Sequence, residues 1–185
     1  MHQSFQFKLF ACKRLRHLHR AIDVSSQIWN HSVALHRRYY RLFKKTLPKA
    51  KLQAHLAKLR NGNKSHWQVV GSQSVQAITD RLYLGWEAFF RGEIKRPPTF
   101  RKRRKYRSFT LKQSGYKVLG HGRIKILGRN YRFNQSRPLS GVIKTVTLQR
   151  VALCDIHISF SCDQVQQPEQ AEDLARPGSP EVSLL

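Results

Sequence analysis

Hydrophobic and polar residues alternate at the start of the chain. Phe5, Phe7 and Leu9 are separated by Gln6 and Lys8, the period of two that marks a strand with one buried face. The period then lengthens. From about Leu18 to Lys45, the apolar positions Ile22, Ile28, Trp29, Leu35, Tyr39, Leu42 and Phe43 recur mostly at spacings of three, four and seven, which predicts a long helix. Pro48 opens a second helical stretch with Leu52, Leu56 and Leu59 on one face, and Asn61-Gly62-Asn63 should end it in left-handed conformations. The third helix is the clearest. Gly71-Ser72 offers its cap, and Val75, Ile78, Leu82, Trp86 and Phe89 step along a stripe that Phe90 widens and Gly92 should stop.

Pro97-Pro98 cannot continue a helix, and beyond them the alternation of two returns in short segments broken by glycine. Phe109 and Leu111 make one, Tyr116 and Val118 another, and Ile124 and Ile126 a third between Gly122 and Gly128. Tyr131 and Phe133 follow, then Val142 to Gln149. In the last segment Ile156, Ile158, Phe160 and Cys162 face one way. Several short strands at this spacing predict a small barrel or sandwich. Residues 164–185 are acidic, contain proline and show no periodicity, so a disordered tail is expected there. The class is therefore α+β, with strands on both sides of three helices.

Charge changes this picture from a generic fold to a binding protein. The 185 residues carry 35 Lys and Arg against 10 Asp and Glu, and the excess is uneven. Residues 1–150 hold 34 of the basic residues and only four acids, Asp23, Asp80, Glu87 and Glu93, a formal charge of +30; residues 151–185 carry −5. A body this positive repels itself when compact. A polyanion alongside it relieves the repulsion, and release of that polyanion's counterions drives binding. A membrane surface is the weaker partner, because no 18-residue apolar run is present. Charge at Lys8 interrupts the apolar stretch that a signal peptide requires, so a cytoplasmic, nucleoid-associated location is expected. Cys12, Cys154 and Cys162 have no Cys-x-x-Cys spacing and are expected to be free thiols. His17 and His19, two apart, would point to different faces of a helix and not to a shared metal.

The strongest local feature is the run from Arg101 to Arg107, which places six positive charges around Tyr106. Against phosphates each charge would add to affinity and to salt sensitivity; the plainer alternative is a solvated or targeting patch. On the third helix Gln73 and Gln76, three apart, can face one groove, and glutamine can pair with adenine through two hydrogen bonds. Both also fit an ordinary polar helix surface, as does Asn30 beside Trp29. Catalytic constellations are missing: no His-Glu-x-x-His, no phosphate-binding glycine loop, and no converging carboxylates for a two-metal site. Asp80 is expected to offset neighbouring Arg81 or to solvate its helix.

Several stretches, in order, resemble the TnpB/OrfB family of transposon-encoded RNA-guided nucleases. They are Phe5 to Phe10, Ile28-Trp29-Asn30, Ser72 to Gln76 continued through Arg81-Leu82 to Trp86-Glu87-Ala88-Phe89-Phe90-Arg91-Gly92, Pro98-Thr99-Phe100-Arg101-Lys102 with Arg107-Ser108-Phe109-Thr110, Gly122 to Ile126, and Pro138 to Thr147. The likeness covers about residues 1–163. It implies a small wedge-like β-barrel split by an inserted three-helix recognition lobe, with boundaries at 1–11 and 96–163 for the barrel, 12–95 for the lobe and 164–185 for the tail. It also implies that guide RNA and double-stranded DNA are the partners. The residues expected to contact them are Asn30, Gln73, Gln76, Arg81, Lys95, Arg96, Arg101, Lys102, Arg103, Arg104, Lys105, Arg107, Lys112, Arg123, Lys125 and Lys144.

One departure is large. Family members continue from the last barrel strand into a RuvC-like nuclease fold that opens on an Asp-bearing strand, whereas here Phe160-Ser161-Cys162-Asp163 runs into the acidic segment. The expectation is a transposase-like binding fragment with no catalytic residue, no metal ligand and no cofactor of its own, magnesium belonging to the absent nuclease part. Two other readings stand beside it: a structural RNA-binding protein of ribosomal type, and one half of a split nuclease whose catalytic domain is a separate chain.

Overall fold

The computed structural model describes residues 2–112, 115–151 and 155–163. Within them the chain is α+β, with three α-helices and two antiparallel sheets. The first strand, β1 (His2–Lys8), buries Phe5 and Phe7 and exposes Gln6 and Lys8, as its alternation predicts. Three helices follow: α1 (Leu15–Phe43), α2 (Lys49–Asn61) and α3 (Ser72–Phe90). Then come β2 (Ser108–Lys112), β3 (Tyr116–Gly120), β4 (Arg123–Ile126), β5 (Arg129–Arg132), β6 (Val142–Arg150) and β7 (Ile156–Asp163).

The four-stranded sheet has the order β1-β7-β6-β2. Phe5 pairs with Phe160 and Phe7 with Ile158, so the first strand lies against the last described one. The three helices thus leave from one edge strand of this sheet and return to the other. β3, β4 and β5 form a separate meander. Its two tight turns, His121-Gly122 and Leu127-Gly128, both place two successive residues at positive φ, the geometry that matches the twist of hairpin strands. The sheets meet at one corner. Leu9 bridges Phe133, the Phe10 N–H donates to the Arg132 carbonyl at 2.9 Å, and the Asn134 N–H donates to that of Lys8 at 2.9 Å. Phe7, Phe133 and Phe160 pack beneath this corner with ring centroids 5.4–6.0 Å apart. Among the described residues the strands form these two sheets and no closed barrel.

The helix ends follow local chemistry unevenly. Gly92 takes φ +77, its N–H donates to the Phe89 carbonyl, and the Glu93 N–H donates to that of Ala88, so glycine closes α3 as expected. At its other end Gly71 occupies the cap position without a side-chain bond, and Ser72 is already helical. Gly62 ends α2 at φ −118, not in the left-handed conformation expected there. The stripe Val75, Ile78, Leu82 and Trp86 is core, with Phe89 partly buried against it. α1 starts at Leu15 and outruns its covering: Leu42 and Phe43, which fit the helical period, are 64 % and 57 % exposed. No helix among the described residues is long and apolar enough to cross a membrane. The acidic segment 164–185, expected to be disordered, and Cys154 lie outside the described residues.

Candidate nucleic-acid interface

After α3 the chain turns at Pro97-Pro98 and runs back along α1 as an extended strap. Arg37 donates through Nη2 to the Pro98 carbonyl at 3.2 Å, and the Trp29 indole Nε1 donates to Thr99 at 3.0 Å. Asn30 then brackets Arg101, and Asp23 binds the Arg103 guanidinium at 2.5 Å. From Arg37 to Asp23 a helix rises about 21 Å, and five extended residues from Pro98 to Arg103 cover about 17 Å. The two lengths match closely enough for the strap to follow the helix antiparallel.

Aromatic rings hold the middle of the strap. Tyr106 is 1 % exposed and lies 6.3 Å from Trp29. The Arg81 guanidinium sits 5.1 Å from the Trp29 ring and 5.0 Å from Tyr106, and Arg101 lies 5.0 Å from Trp29. Arg37 stands 5.0 Å from the ring of Phe100. Burial raises the Tyr106 hydroxyl above its ordinary range despite the nearby guanidiniums of Arg81 and Arg101. Tyr106 is therefore an anchor, and the charges around it are spaced by that anchor.

These contacts divide the predicted interface residues. Asn30, Arg81, Arg101 and Arg103 converge on α1, each engaged by Trp29, Tyr106, Asp23 or the strap backbone. Lys102, Arg104, Lys105 and Arg107 are exposed and form no ion pair with a described carboxylate; Lys95 and Arg96, just before the strap, are exposed in the same way. Arg123 and Lys125 stand on the outer face of β4. Lys112 and Lys144 are differently placed: Lys112 binds Asp80 at 2.5 Å, and Lys144 lies 3.5 Å from Asp163. Gln73 is half-buried. Gln76 is exposed and lines a cleft of about 270 Å³ between α2 and α3, with Gln53, Ala54, Ala57, Arg60, Ser72 and Val75. The glutamines therefore do not share that cleft, and none of its lining residues belongs to the strap.

Asp80 and Asp23 each hold two cations from distant elements. Asp80 holds both Lys49 and Lys112, from α2 and β2, in place of the neighbouring Arg81. Asp23 holds Arg103 and Arg150. Burial pushes the Asp23 carboxyl up, but hydrogen bonds and charge from Arg103 and Arg150 outweigh it and hold the group below its ordinary range. Asp23 thus joins α1, the strap and the end of β6.

One basic surface has, apart from Arg103, none of the expected residues in it. Arg16, His19, Arg20, Asp23, Val24, Gln27, His66 and Arg103 line a cleft of about 660 Å³ where the strap meets the start of α1. Gln27 accepts from the Trp67 indole at 3.3 Å and pairs with His66 at 3.0 Å, closing one end. The signal was present in the sequence: positions 16, 20, 23 and 27 step by four, three and four, which places them on one helical face. Among the described residues no group of three or more His, Cys, Asp or Glu side chains is placed to hold a metal ion. No protein-family model and no curated protein matches this sequence.

Proposed function

We propose that this chain binds nucleic-acid backbone across the strap and the first third of α1. On this reading it is the RNA- and DNA-holding part of an RNA-guided nuclease of the TnpB/OrfB type, acting without a catalytic site of its own. One observation carries the reading. The strap is fixed by buried Tyr106 and by Asn30, yet it presents Lys102, Arg104, Lys105 and Arg107 without a described carboxylate beside them. Fixing like charges in a row costs energy in water, and a phosphate backbone offsets it. The cleft beside Arg16 and Arg20 extends the same surface. The two sheets, joined at Leu9 and Phe133, would serve as the wedge-like barrel, with the helices as the lobe inserted into it. Such a protein would work at the nucleoid.

Titration of labelled RNA and duplex DNA with the full chain at several salt concentrations tests this. Binding should weaken steeply with salt, and replacing Lys102, Arg104 and Lys105 with Ala should lower the salt slope by roughly two to three, at about 0.7–0.9 for each phosphate no longer neutralised. Absence of binding at low salt, or a slope unchanged by the triple variant, would refute the interface. Incubation with Mg²⁺, guide RNA and target DNA tests the non-catalytic assignment. Cleavage that a chelator abolishes would overturn it.

A further inference from the structure

The corner where the sheets meet carries a further concave surface, and none of its lining residues belongs to the strap. Its volume is about 560 Å³, within the range of roughly 300–1,000 Å³ typical of small-ligand sites. Phe133 in its wall is buried, but Phe10 is 52 % exposed. Phe10 is nonetheless fixed in place, because its N–H is bonded to Arg132, whose guanidinium also lies 5.7 Å from the Phe10 ring.

The opposite wall is polar and pre-organised. Phe133 donates its N–H to the Gly122 carbonyl at 2.8 Å, and Ser136 donates to that of Asn134 at 3.2 Å. The Gly122 N–H donates to Gln135 Oε1 at 3.0 Å. Fixed backbone thus presents the exposed side chains of Asn134 and Ser136, neither of which bonds to a described residue. Arg137 stands at the rim, 5.0 Å from the ring of Phe5.

We infer that this cleft receives one unpaired base of a single-stranded nucleic acid. The base stacks on Phe10, Asn134 and Ser136 meet its edge, and Arg132 and Arg137 meet the flanking phosphates. An open aromatic face accepts any base, because every base has a π-face. An amide with both a donor and an acceptor can read an edge that pairing would otherwise occupy. A base inside a duplex cannot enter, so the site selects single strands. The inference rests on the nucleic-acid reading above and adds the kind of strand that this corner takes.

The test uses the full chain with one single-stranded sequence, supplied as RNA and as DNA to identify the sugar accepted, and the matching blunt duplex. Phe10→Ala should weaken binding to the preferred single strand about 5- to 150-fold, the loss of one stacked base, and leave duplex affinity and the salt slope unchanged. Phe10→Tyr should retain affinity, and Asn134→Ala should narrow the difference between bases. Thermal unfolding of each variant checks that it is folded. Equal single-strand affinity for wild type, Phe10→Ala and Phe10→Leu would overturn the site while leaving the strap reading intact. Failure of the strap reading looks different, because wild type would then bind neither strand nor duplex at low salt, or would bind with a salt slope that the Lys102, Arg104 and Lys105 variant leaves unchanged.

Discussion

Asn30 and Arg101 close a ring of two hydrogen bonds: Asn30 Nδ2 donates to the Arg101 carbonyl at 2.9 Å, and the Arg101 N–H donates to Asn30 Oδ1 at 2.8 Å. A side-chain amide can present an N–H and its oxygen side by side and so satisfies an extended residue as a neighbouring strand would. Asn30→Ala should cost roughly 1–2 kcal/mol, two ordinary hydrogen bonds, and should speed tryptic cleavage between Arg101 and Arg107. Asn30→Asp keeps only the acceptor and should fall between. Asn30→Ala leaves every charge on the strap in place, whereas Asn30→Asp adds a negative one. For Asn30→Ala, nucleic-acid affinity should therefore drop without a change in salt slope, the signature of lost pre-organisation.

That ring marks the limit of what the sequence made legible. The alternation in β1, β4 and β7, the stripe of α3 and the stop at Gly92 depend on residues within a turn or a strand of each other, so local spacing revealed them. Asn30 lies 71 positions from Arg101, and its role depends on a strap folding back along α1. Adjacency in sequence pairs Asp80 with Arg81, but its partners come from α2 and β2, while Arg81 is drawn to Trp29 and Tyr106. Leu42 and Phe43 kept the helical period beyond the surface that could cover it. The face formed by Arg16, Arg20, Asp23 and Gln27 is legible by the same rule, but its charges are spread along a helix and stand out less than the dense run at 101–107.

Lys112 was expected among the phosphate contacts, and its ion pair predicts otherwise. Burial pushes the Asp80 carboxyl up, but hydrogen bonds and charge from Lys112 and Lys49 outweigh it and lower the group from its ordinary 3.8. A carboxyl with a depressed folded value stabilises above its unfolded value, and that stability is lost as the pH falls through the folded one. Lys112→Gln should therefore cost about 0.5–1 kcal/mol at pH 7 and soften the acid unfolding limb below about pH 4. Nucleic-acid binding and its salt slope should hardly change. Equilibrium denaturation and salt titrations of the same variant separate the two effects.

His36 gives the same sign in a higher pH window. It is fully buried and stacked on Trp86 at 4.3 Å, and neither ring nitrogen has a hydrogen-bond partner among the described residues. Burial lowers it from its ordinary 6.5. Below that value the unfolded chain takes up a proton that the folded chain refuses, so stability declines as the pH falls from about 7 toward 5. His17 and His31 are shifted the same way and add to the decline. His36→Phe keeps the stack and removes the buried nitrogens. It should raise stability at pH 7 by on the order of 1 kcal/mol and flatten that part of the decline, as urea unfolding at a series of pH values would record.

Gly122 and Gly128 occupy the same position in two hairpin turns, at φ +65 and +79, but their surroundings differ. A Cβ on Gly122 would lie 2.7 Å from the Phe133 carbonyl oxygen, whereas one on Gly128 meets nothing within 4 Å. Gly128→Ala should thus cost only the left-handed conformation, roughly 1–2 kcal/mol. Gly122→Ala adds a clash with backbone that cannot rotate away, at the residue whose N–H holds Gln135 and whose carbonyl holds Phe133. Its loss should exceed that of Gly128→Ala by about 1 kcal/mol or more. Denaturation midpoints compare the two directly. If the corner cleft holds an unpaired base, Gly122→Ala should also weaken single-strand binding under conditions where both variants remain folded, because the clash moves the wall that carries Asn134 and Ser136. Gly128→Ala, in the other turn, should leave that binding intact.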